Sequence, residues 1–264
     1  MIKAYWYGNE LSADPISHNW GDIIAPVILQ ALTGQVPVLV PRAGGRVVSV
    51  GSIMHKVREN DHIWGTGVIS PTGYPTLFPK VLVHAVRGPK TREVLKALGV
   101  EVPELYGDPA LLTPYLFDLS CIQKTHDLGI IPHYNDWNAL QRFASKDVKV
   151  IDICAGIEPV LREVASCRNI LASSLHGLVL GDCFAERAAW LQVDTGKRLV
   201  GASFKFEDYL LGTGREPDPT SMTSDGCLPP IRWLPKAQVD LEILARSCPF
   251  RSRTPLGLLP RKVL

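Results

Sequence analysis

The sequence predicts an α/β fold of two Rossmann-like domains with parallel sheets, and three observations lead to it. Short apolar runs typical of strands alternate with segments whose apolar residues recur at helical spacing. Gly and Pro mark the segment ends, as at Gly88-Pro89 before one helix and at Gly99 after it. The alternation weakens at residues 115–126 and then begins again. Such βαβ alternation is typical of parallel sheets with helices on both faces.

The first domain is predicted to span residues 1–118. Its opening strand, Ile2–Tyr7, leads to a helix at Asn19–Leu32, whose apolar residues form one helical stripe. The remaining elements of this domain are the strands Val36–Val40, Arg46–Gly51, His62–Gly67 and Val81–Val86 and the helix Lys90–Leu98.

The second domain is predicted to span residues 119–211. One of its helices, Pro159–Cys167, has Leu161 and Val164 on a single face. Its strands are Leu128–Pro132, Val148–Ile153, Ile170–Ala172 and Ala188–Val193, and its other helices are Asp136–Ala144, Leu178–Ala185 and Phe204–Leu211.

Residues 212–264 have a different character and are predicted to form a C-terminal strap. Residues 212–235 are rich in Gly, Pro, Ser, Thr and Asp, which is typical of a loop, and Asp240–Arg246 resembles a helix. Basic residues and leucines are mixed over Arg251–Leu264. Two interpretations stay open, a strap packed against the body and a contact with a membrane surface or a partner. Pro255 and Pro260 exclude a continuous amphipathic helix.

Composition limits the classes of function. A chain that is 46% hydrophobic and 20% charged has the composition of a globular protein with a sizeable core. The net charge of +2, with scattered basic residues, gives no case for a nucleic-acid partner. The six cysteines show no CxxC pair or other metal-ligand spacing, so no metal site is expected. The chain starts without signal-peptide features and has no apolar run of membrane-spanning length, which predicts a cytoplasmic protein.

The segment Ser173-Ser174-Leu175-His176-Gly177 is the strongest candidate for a site. It joins a strand to an apolar helix, and Ser173 and Ser174 are good N-cap residues. A helix start presents backbone N–H groups and a positive dipole end, which suit an anion. His176 can transfer a proton beside it. The alternative is a histidine that is satisfied by a hydrogen bond at a strand–helix junction.

Three other polar loops follow strands, where ligands bind in open parallel sheets. Arg87 follows a strand and precedes a helix start, which suits a phosphate or carboxylate, or else it forms a surface ion pair. His133-Tyr134 follows another strand. Asn19 and Asp22 open the first helix and either cap it or contact a ligand. Four such loops, drawn from two sheets, predict a cleft between the domains.

Seven short segments along residues 19–209 form one further pattern. They are Asn19-Trp20-Gly21-Asp22, Trp64-Gly65-Thr66-Gly67, Val86-Arg87-Gly88-Pro89, Gly107-Asp108-Pro109-Ala110-Leu111-Leu112, Ile130-Ile131-Pro132-His133-Tyr134, Ser173-Ser174-Leu175-His176-Gly177 and Lys205-Phe206-Glu207-Asp208-Tyr209. Together, and in this order, they resemble the polysaccharide pyruvyl transferase family. The resemblance implies a fold like that of the GT-B glycosyltransferases. It also implies transfer of a pyruvyl group from phosphoenolpyruvate to sugar hydroxyls of a surface polysaccharide, with release of phosphate and no metal or cofactor.

The resemblance also implies roles for residues. His176 would be the acid, and Asp22 or Asp108 the base, although Asp108-Pro109 is equally consistent with a turn or a cap. Lys205 would be a second cation, with a surface lysine as the alternative. The residues expected to contact substrate are Arg87, Ser173, Ser174, Gly177, Lys205, Asn19, His133 and Tyr134.

One departure from the family affects these roles. Some relatives carry an arginine where this chain has Ser174, so either Arg87, Lys205 or Arg92 replaces its charge or the donor binds in a different position. Two other functions remain open, a glycosyltransferase that uses a nucleotide sugar and a non-catalytic binding protein of the same fold. A lipid-linked acceptor would place the protein at the inner face of the cell membrane, and the oligomeric state is not predicted.

Overall fold

Two parallel five-stranded sheets form the framework of the protein, in a computed structural model that describes residues 1–8, 18–75, 78–193, 201–222 and 227–264. The expected α/β class with parallel sheets is confirmed. The first sheet contains β1 (Ile2–Tyr5), β2 (Pro37–Leu39), β3 (Val47–Val48), β4 (His62–Trp64) and β5 (Leu82–Ala85). The second contains β7 (His126–Ile131), β8 (Val148–Val150), β9 (Cys167–Ala172), β10 (Arg187–Gln192) and β11 (Thr220–Ser221). A separate pair joins β6 (Phe117–Asp118) to β12 (Lys262–Val263).

Both sheets have the same strand order. The first runs β2-β1-β3-β4-β5, and the second, taken from its β8 edge, runs β8-β7-β9-β10-β11. In each sheet the chain winds outward in both directions from one central pair, β1/β3 or β7/β9. Ala4 lies opposite Val47 in the first pair and Ile131 opposite Ala172 in the second. Open sheets of this kind bind ligands beyond the carboxyl ends of the strands at such a switch point.

Seven α-helices surround the sheets in the described part of the chain. They are α1 (Trp20–Thr33), α2 (Pro89–Ala97), α3 (Trp137–Leu140), α4 (Ile157–Ala165), α5 (Leu175–Phe184), α6 (Ala202–Gly212) and α7 (Leu241–Arg246). Every connection within the second sheet passes through a helix. In the first sheet, only the connection from β1 to β2 does so among the described residues. The Rossmann-like and GT-B-like character of the two domains therefore stays a prediction. None of the described helices is long and apolar enough to cross a membrane.

Several element boundaries differ from those expected. Helix α4 runs from Ile157 to Ala165 and is capped at Ser166, two residues ahead of the predicted helix, so Cys167 opens β9 instead of closing the helix. Helix α5 begins at Leu175, so His176 lies in its first turn rather than before it. The helix expected at residues 136–144 is a short α3 followed by a 3-10 turn.

The two sheets share one apolar core. A single cluster of buried residues includes Ala4 and Trp64 from the first sheet and Ile170 and Trp190 from the second. The backbone N–H of Trp20 in α1 donates to the carbonyl of Ile153, which follows β8, at 2.8 Å. The division into domains at residue 118 stays a prediction.

The carboxyl-terminal segment packs against this body. Leu256, Leu259 and Leu264 are buried, and the indole Nε1 of Trp64 donates to the carbonyl of Leu244 at 3.0 Å. The described residues of this segment therefore lie against the body of the protein, as a strap would. Residues 223–226 of the predicted loop lie outside the described residues.

Candidate active site

A cleft of about 310 Å³ lies where the switch points of the two sheets face each other. The first sheet and its connections contribute Tyr7, Asn19, Asp22, Ser52, Ile53, His55 and Ile69, and the second contributes His133, Tyr134, Ser174, Leu175, His176 and Lys205. Seven residues expected from the sequence thus share one cavity, namely Asn19, Asp22, His133, Tyr134, Ser174, His176 and Lys205. Arg87, Asp108, Ser173 and Gly177 are not part of its lining.

His176 is held across the cleft by glycines of the first sheet's loops. A Cβ atom placed on Gly21 would lie 1.7 Å from Nδ1 of His176, so the imidazole packs directly on the start of α1. A Cβ atom on Gly51 would lie 3.9 Å from Cε1 of the same ring and 3.8 Å from Oδ1 of Asp22. The Nε2 atom of His176 is buried and has no hydrogen-bond partner within the described residues. The ring is therefore closely packed, and one of its nitrogens has no hydrogen-bond partner in the part of the chain that the structure describes.

His176 is uncharged at neutral pH. Burial lowers its pKa to about 3, and the positive charges of Lys205 and Arg87 act in the same direction, as does His133. A neutral imidazole beside several cationic groups favours an anionic ligand. Such an anion would raise the pKa of His176 again, because it would offset the positive charges that hold the pKa down.

The start of α1 supplies a cap and a carboxyl group. The side chain of Asn19 accepts a hydrogen bond from the N–H of Gly21 at 3.1 Å, so Asn19 caps the helix and also lines the cleft. Burial raises the pKa of Asp22 to about 7, although the Lys205 ammonium lowers it. Near neutral pH, Asp22 can therefore hold or accept a proton.

Lys205 of α6 enters the cleft between carboxyl groups from both sides. Its pKa is lowered to about 8, chiefly by burial and in addition by the charge of Arg87. The carboxyl groups of Asp136 and Asp22 partly oppose this shift. The side chain is partly buried and lines the cavity, and its role as a second substrate-binding cation stays a prediction. Lys205 is consequently a cation whose charge depends on its neighbours.

The serines and the glycine before and within α5 have different surroundings. Ser173 Oγ donates to Oδ2 of Asp136 at 2.7 Å and accepts from the N–H of His133 at 2.9 Å, so it ties β9 to the loop after β7. Ser174 occupies the N-cap position without a side-chain capping bond and lines the cleft. A Cβ atom on Gly177 would lie 2.8 Å from Ile131, so this glycine allows close packing of helix and strand. Of these three residues, only Ser174 is placed to contact a ligand in the cleft.

Arg87 lies under the cleft in a fully buried ion pair. Its Nε donates to Oδ2 of Asp208 at 2.9 Å, while its other nitrogens donate to Ser52 Oγ and the Val68 carbonyl. Asp208 also accepts from the N–H of Thr91 in the first turn of α2. Arg87 and this helix start do form an anion site, as the sequence predicts, but its anion is the protein's own carboxylate. The alternative of a surface ion pair is wrong, and contact of Arg87 with substrate stays a prediction.

Asp108 is buried outside the cleft lining. Its side chain accepts from the N–H of Ala110 at 3.0 Å and caps a 3-10 helix, which agrees with the interpretation as a cap. Burial raises the pKa of Asp108 to about 6, and its Oδ2 has no partner in the described part of the chain. The catalytic role of Asp108 stays a prediction. Arg92 does not line the cleft either and donates to the carbonyl of Val102.

Substitution of Arg87 by Ala is expected to lower the free energy of unfolding by about 3–5 kcal/mol, because it leaves Asp208 as an unpaired buried charge. Denaturant titration followed by circular dichroism measures this loss. Arg232→Ala is the matched control, since its pair with Asp218 is exposed and should contribute less than about 1 kcal/mol. Equal losses in the two variants would contradict a structural role for the buried pair.

The sequence did not single out several residues that the structure places in or near the cleft. They are Tyr7, Ser52, Ile53, His55, Ile69 and Asp136. Ser52 and Ile53 could have been found, because they directly follow the predicted strand Arg46–Gly51, and residues just after strands are where ligands bind in parallel sheets. Asp136 could not, because its proximity to Lys205 depends on how α6 packs.

The fold and the cleft define an α/β protein in which two parallel sheets enclose a neutral histidine, a lysine and a protonatable carboxyl group. Residues 63–185 match the model of the family described as Polysaccharide pyruvyl transferase, which confirms the resemblance seen in the motifs. No solved structure matches the chain significantly.

Two curated proteins are similar to the chain in sequence. The chain is 31% identical over 176 residues to "Uncharacterized protein L143" of Acanthamoeba polyphaga mimivirus, a match that covers 64% of this chain and 60% of the relative. It is 28% identical over 179 residues to "Succinoglycan biosynthesis protein ExoV" of Rhizobium meliloti (strain 1021), which covers 64% of this chain and 54% of the relative. The chain thus matches less than two thirds of the length of each of these relatives.

Proposed function

We propose that the protein transfers a pyruvyl group from phosphoenolpyruvate to hydroxyl groups of a sugar in polysaccharide biosynthesis. The observation that carries the proposal is His176, whose buried Nε2 has no hydrogen-bond partner among the described residues and which lines a cleft together with Lys205 and Asp22. The family match and the similarity to a succinoglycan biosynthesis protein support this type of transfer.

The chemistry requires a proton donor, positive charge and a base. Protonation of C3 of phosphoenolpyruvate makes C2 electrophilic, and a sugar hydroxyl adds to C2 while its proton passes to a base. Departure of phosphate from C2 then allows a second hydroxyl of the sugar to attack, which closes a ketal and releases its proton. The net reaction converts phosphoenolpyruvate and a diol into a pyruvate ketal and inorganic phosphate.

The residues of the cleft match these requirements. Lys205 and the amides at the start of α5 bind the anionic groups of the donor. Binding of these anions raises the pKa of His176, which takes up a proton and delivers it to C3. Asp22 accepts the proton of the sugar hydroxyl. Among the two aspartates predicted from the sequence, the cleft favours Asp22, because Asp108 does not line it.

The mouth of the cleft suits a sugar. Tyr7 is 48% exposed and Tyr134 is 41% exposed, and both line the cavity from opposite sheets. Tyr134 rests against the His133 ring, with 4.1 Å between ring centroids. Tyrosine combines an apolar ring face with a polar hydroxyl and loses little conformational entropy on binding, which fits the mixed C–H and hydroxyl surface of a pyranose.

Calorimetry and phosphate release test the proposal. The wild type should bind phosphoenolpyruvate but not uridine or guanosine diphosphate sugars. The Lys205→Ala substitution should weaken binding of phosphoenolpyruvate at least about tenfold, because a charge-assisted contact is lost. Phosphate release should then require a saccharide acceptor, tested with a panel of methyl hexopyranosides and oligosaccharides. Binding of a nucleotide sugar in place of phosphoenolpyruvate would instead establish a glycosyltransferase.

The affinity for phosphoenolpyruvate is expected to fall as the pH rises above about 8. The free-state pKa of Lys205 is about 8, and a bound anion raises it, so binding takes up a proton above that pH. A single group of this kind weakens binding by up to about tenfold per pH unit. Calorimetry between pH 6 and 10 should show this fall in affinity in the wild type. In Lys205→Arg, the affinity should begin to fall only above pH 9. If the pH dependence of the affinity were unchanged in Lys205→Arg, another group would have to cause it.

A further inference from the structure

Helix α6 links the two sheets through a buried carboxylate. It follows β10 of the second sheet and carries Lys205 into the cleft. Three residues later, the fully buried Asp208 reaches the loop and helix that follow β5 of the first sheet. Its carboxylate accepts hydrogen bonds from Arg87 Nε at 2.9 Å, from Thr91 N at 2.8 Å and from Thr91 Oγ1 at 2.7 Å. Asp208 thus fixes the position of α6 relative to the first sheet.

The same carboxylate balances a charge that acts on Lys205. Arg87 is fully buried, and Asp208 is its sole carboxylate partner in the described part of the chain. Low exposure leaves the charge of Arg87 poorly screened, so it is felt by Lys205 and His176 nearby. The other groups that face Lys205 are Asp22 on α1, Asp136 before α3, His133 after β7 and His176 on α5.

We propose that Asp208 is a positioning residue for Lys205. It holds α6 against the start of α2 and neutralises Arg87. The Lys205 ammonium therefore stays charged in the cleft. The proposal rests on the proposed function only where Lys205 is assigned to binding of the donor. The charge state of Lys205 itself can be measured without any substrate.

The pKa of Lys205 tests the proposal directly. Reductive ¹³C-methylation gives each lysine an NMR signal that can be titrated, and Lys205→Arg identifies the signal of Lys205. In Asp208→Asn, the unbalanced charge of Arg87 should lower the pKa of Lys205 by about one unit. Glu207→Gln is the matched control, because Glu207 pairs with Lys90 of α2 at a partly exposed position and should leave the pKa of Lys205 unchanged. A folded Asp208→Asn variant with an unchanged Lys205 pKa would overturn the proposal.

A double variant covers the case in which Asp208→Asn does not fold. Arg87→Met combined with Asp208→Asn removes both buried charges, and it should return the pKa of Lys205 to the wild-type value or above. A pKa below that of the wild type in this variant would overturn the proposal.

Binding of phosphoenolpyruvate adds a signature that a purely structural role would not produce. Asp208→Asn should weaken binding about fivefold at pH 8 and much less at pH 6, where Lys205 is protonated in both proteins. Equal weakening at both pH values would contradict the charge-balancing role. If the wild type does not bind phosphoenolpyruvate, the proposed function fails, whereas the NMR titration still decides the role of Asp208.

Discussion

Gly21→Ala is expected to lower kcat/KM by at least about 100-fold while the protein remains folded. The new methyl group would lie 1.7 Å from Nδ1 of His176, so the imidazole must move away from its place at the cleft. Displacement of a reacting group by about 1 Å can by itself cost about 100-fold in rate. Gly21 lies in the first turn of α1, where Ala favours the helix, so the loss cannot come from helix propensity. Phosphate release measured with acceptor and phosphoenolpyruvate tests this expectation.

The matched control for this variant is Gly257→Ala. Gly257 lies in a 3-10 turn of the strap, and a Cβ atom there meets nothing within 4 Å, so activity should be unchanged. A double-mutant cycle with His176→Ala identifies the cause. The change in unfolding free energy caused by Gly21→Ala should shrink when the ring is absent, because the two residues are in contact. Full activity in Gly21→Ala would show that the orientation of His176 is unimportant.

His176→Asn is expected to reduce kcat by about 10²–10⁴-fold, the range typical of a lost general acid. Its affinity for phosphoenolpyruvate should change little, because the imidazole is uncharged before binding. Proton uptake on binding near pH 7, measured by calorimetry in buffers of different ionisation enthalpy, should also decrease, since the proton acquired by His176 is lost.

His126→Asn serves as the control for this substitution. His126 begins β7 and contacts Thr125 outside the cleft, so this variant should keep wild-type activity and proton uptake. If His176→Asn retained more than about a tenth of the wild-type kcat, the proton would have to come from another group. Asp22, with a pKa of about 7, would then be the first alternative.

Local sequence patterns predicted the order of elements and most of the cleft. The residues around His133 and His176 could be placed because they follow strands directly, and the carboxyl ends of parallel strands share one edge of a sheet. The same rule explains why Asn19 and Asp22 were found. What the patterns cannot give is the direction in which a side chain points once two loops meet, because this depends on packing between distant segments.

Arg87 shows this limit most clearly. An arginine before a helix start predicted a site for a phosphate or carboxylate of a ligand, whereas the structure pairs Arg87 with Asp208, which is 121 residues away in the sequence. The orientation of Ser173 toward Asp136 and the capping bond of Asp108 depend in the same way on contacts that no short motif encodes. The shifted pKa values of Asp22 and Lys205 arise mainly from burial. Because burial exists only in the assembled cleft, no local motif predicts these shifts.

The core shared by the two sheets also determines how molecules can reach the cleft. A swinging motion that parted the sheets would expose this core to water and break the bond from Trp20 to Ile153 as well as the ion pair between Arg87 and Asp208. Hinge closure between domains requires an interface that can separate with a small loss of free energy. The interface between these two sheets does not meet this requirement, because it contains the shared apolar core and a buried ion pair. We therefore expect ligands to enter and leave through the existing mouth, past the exposed side chains of Tyr7 and Tyr134, whose rotations take place on a far shorter timescale than domain movement.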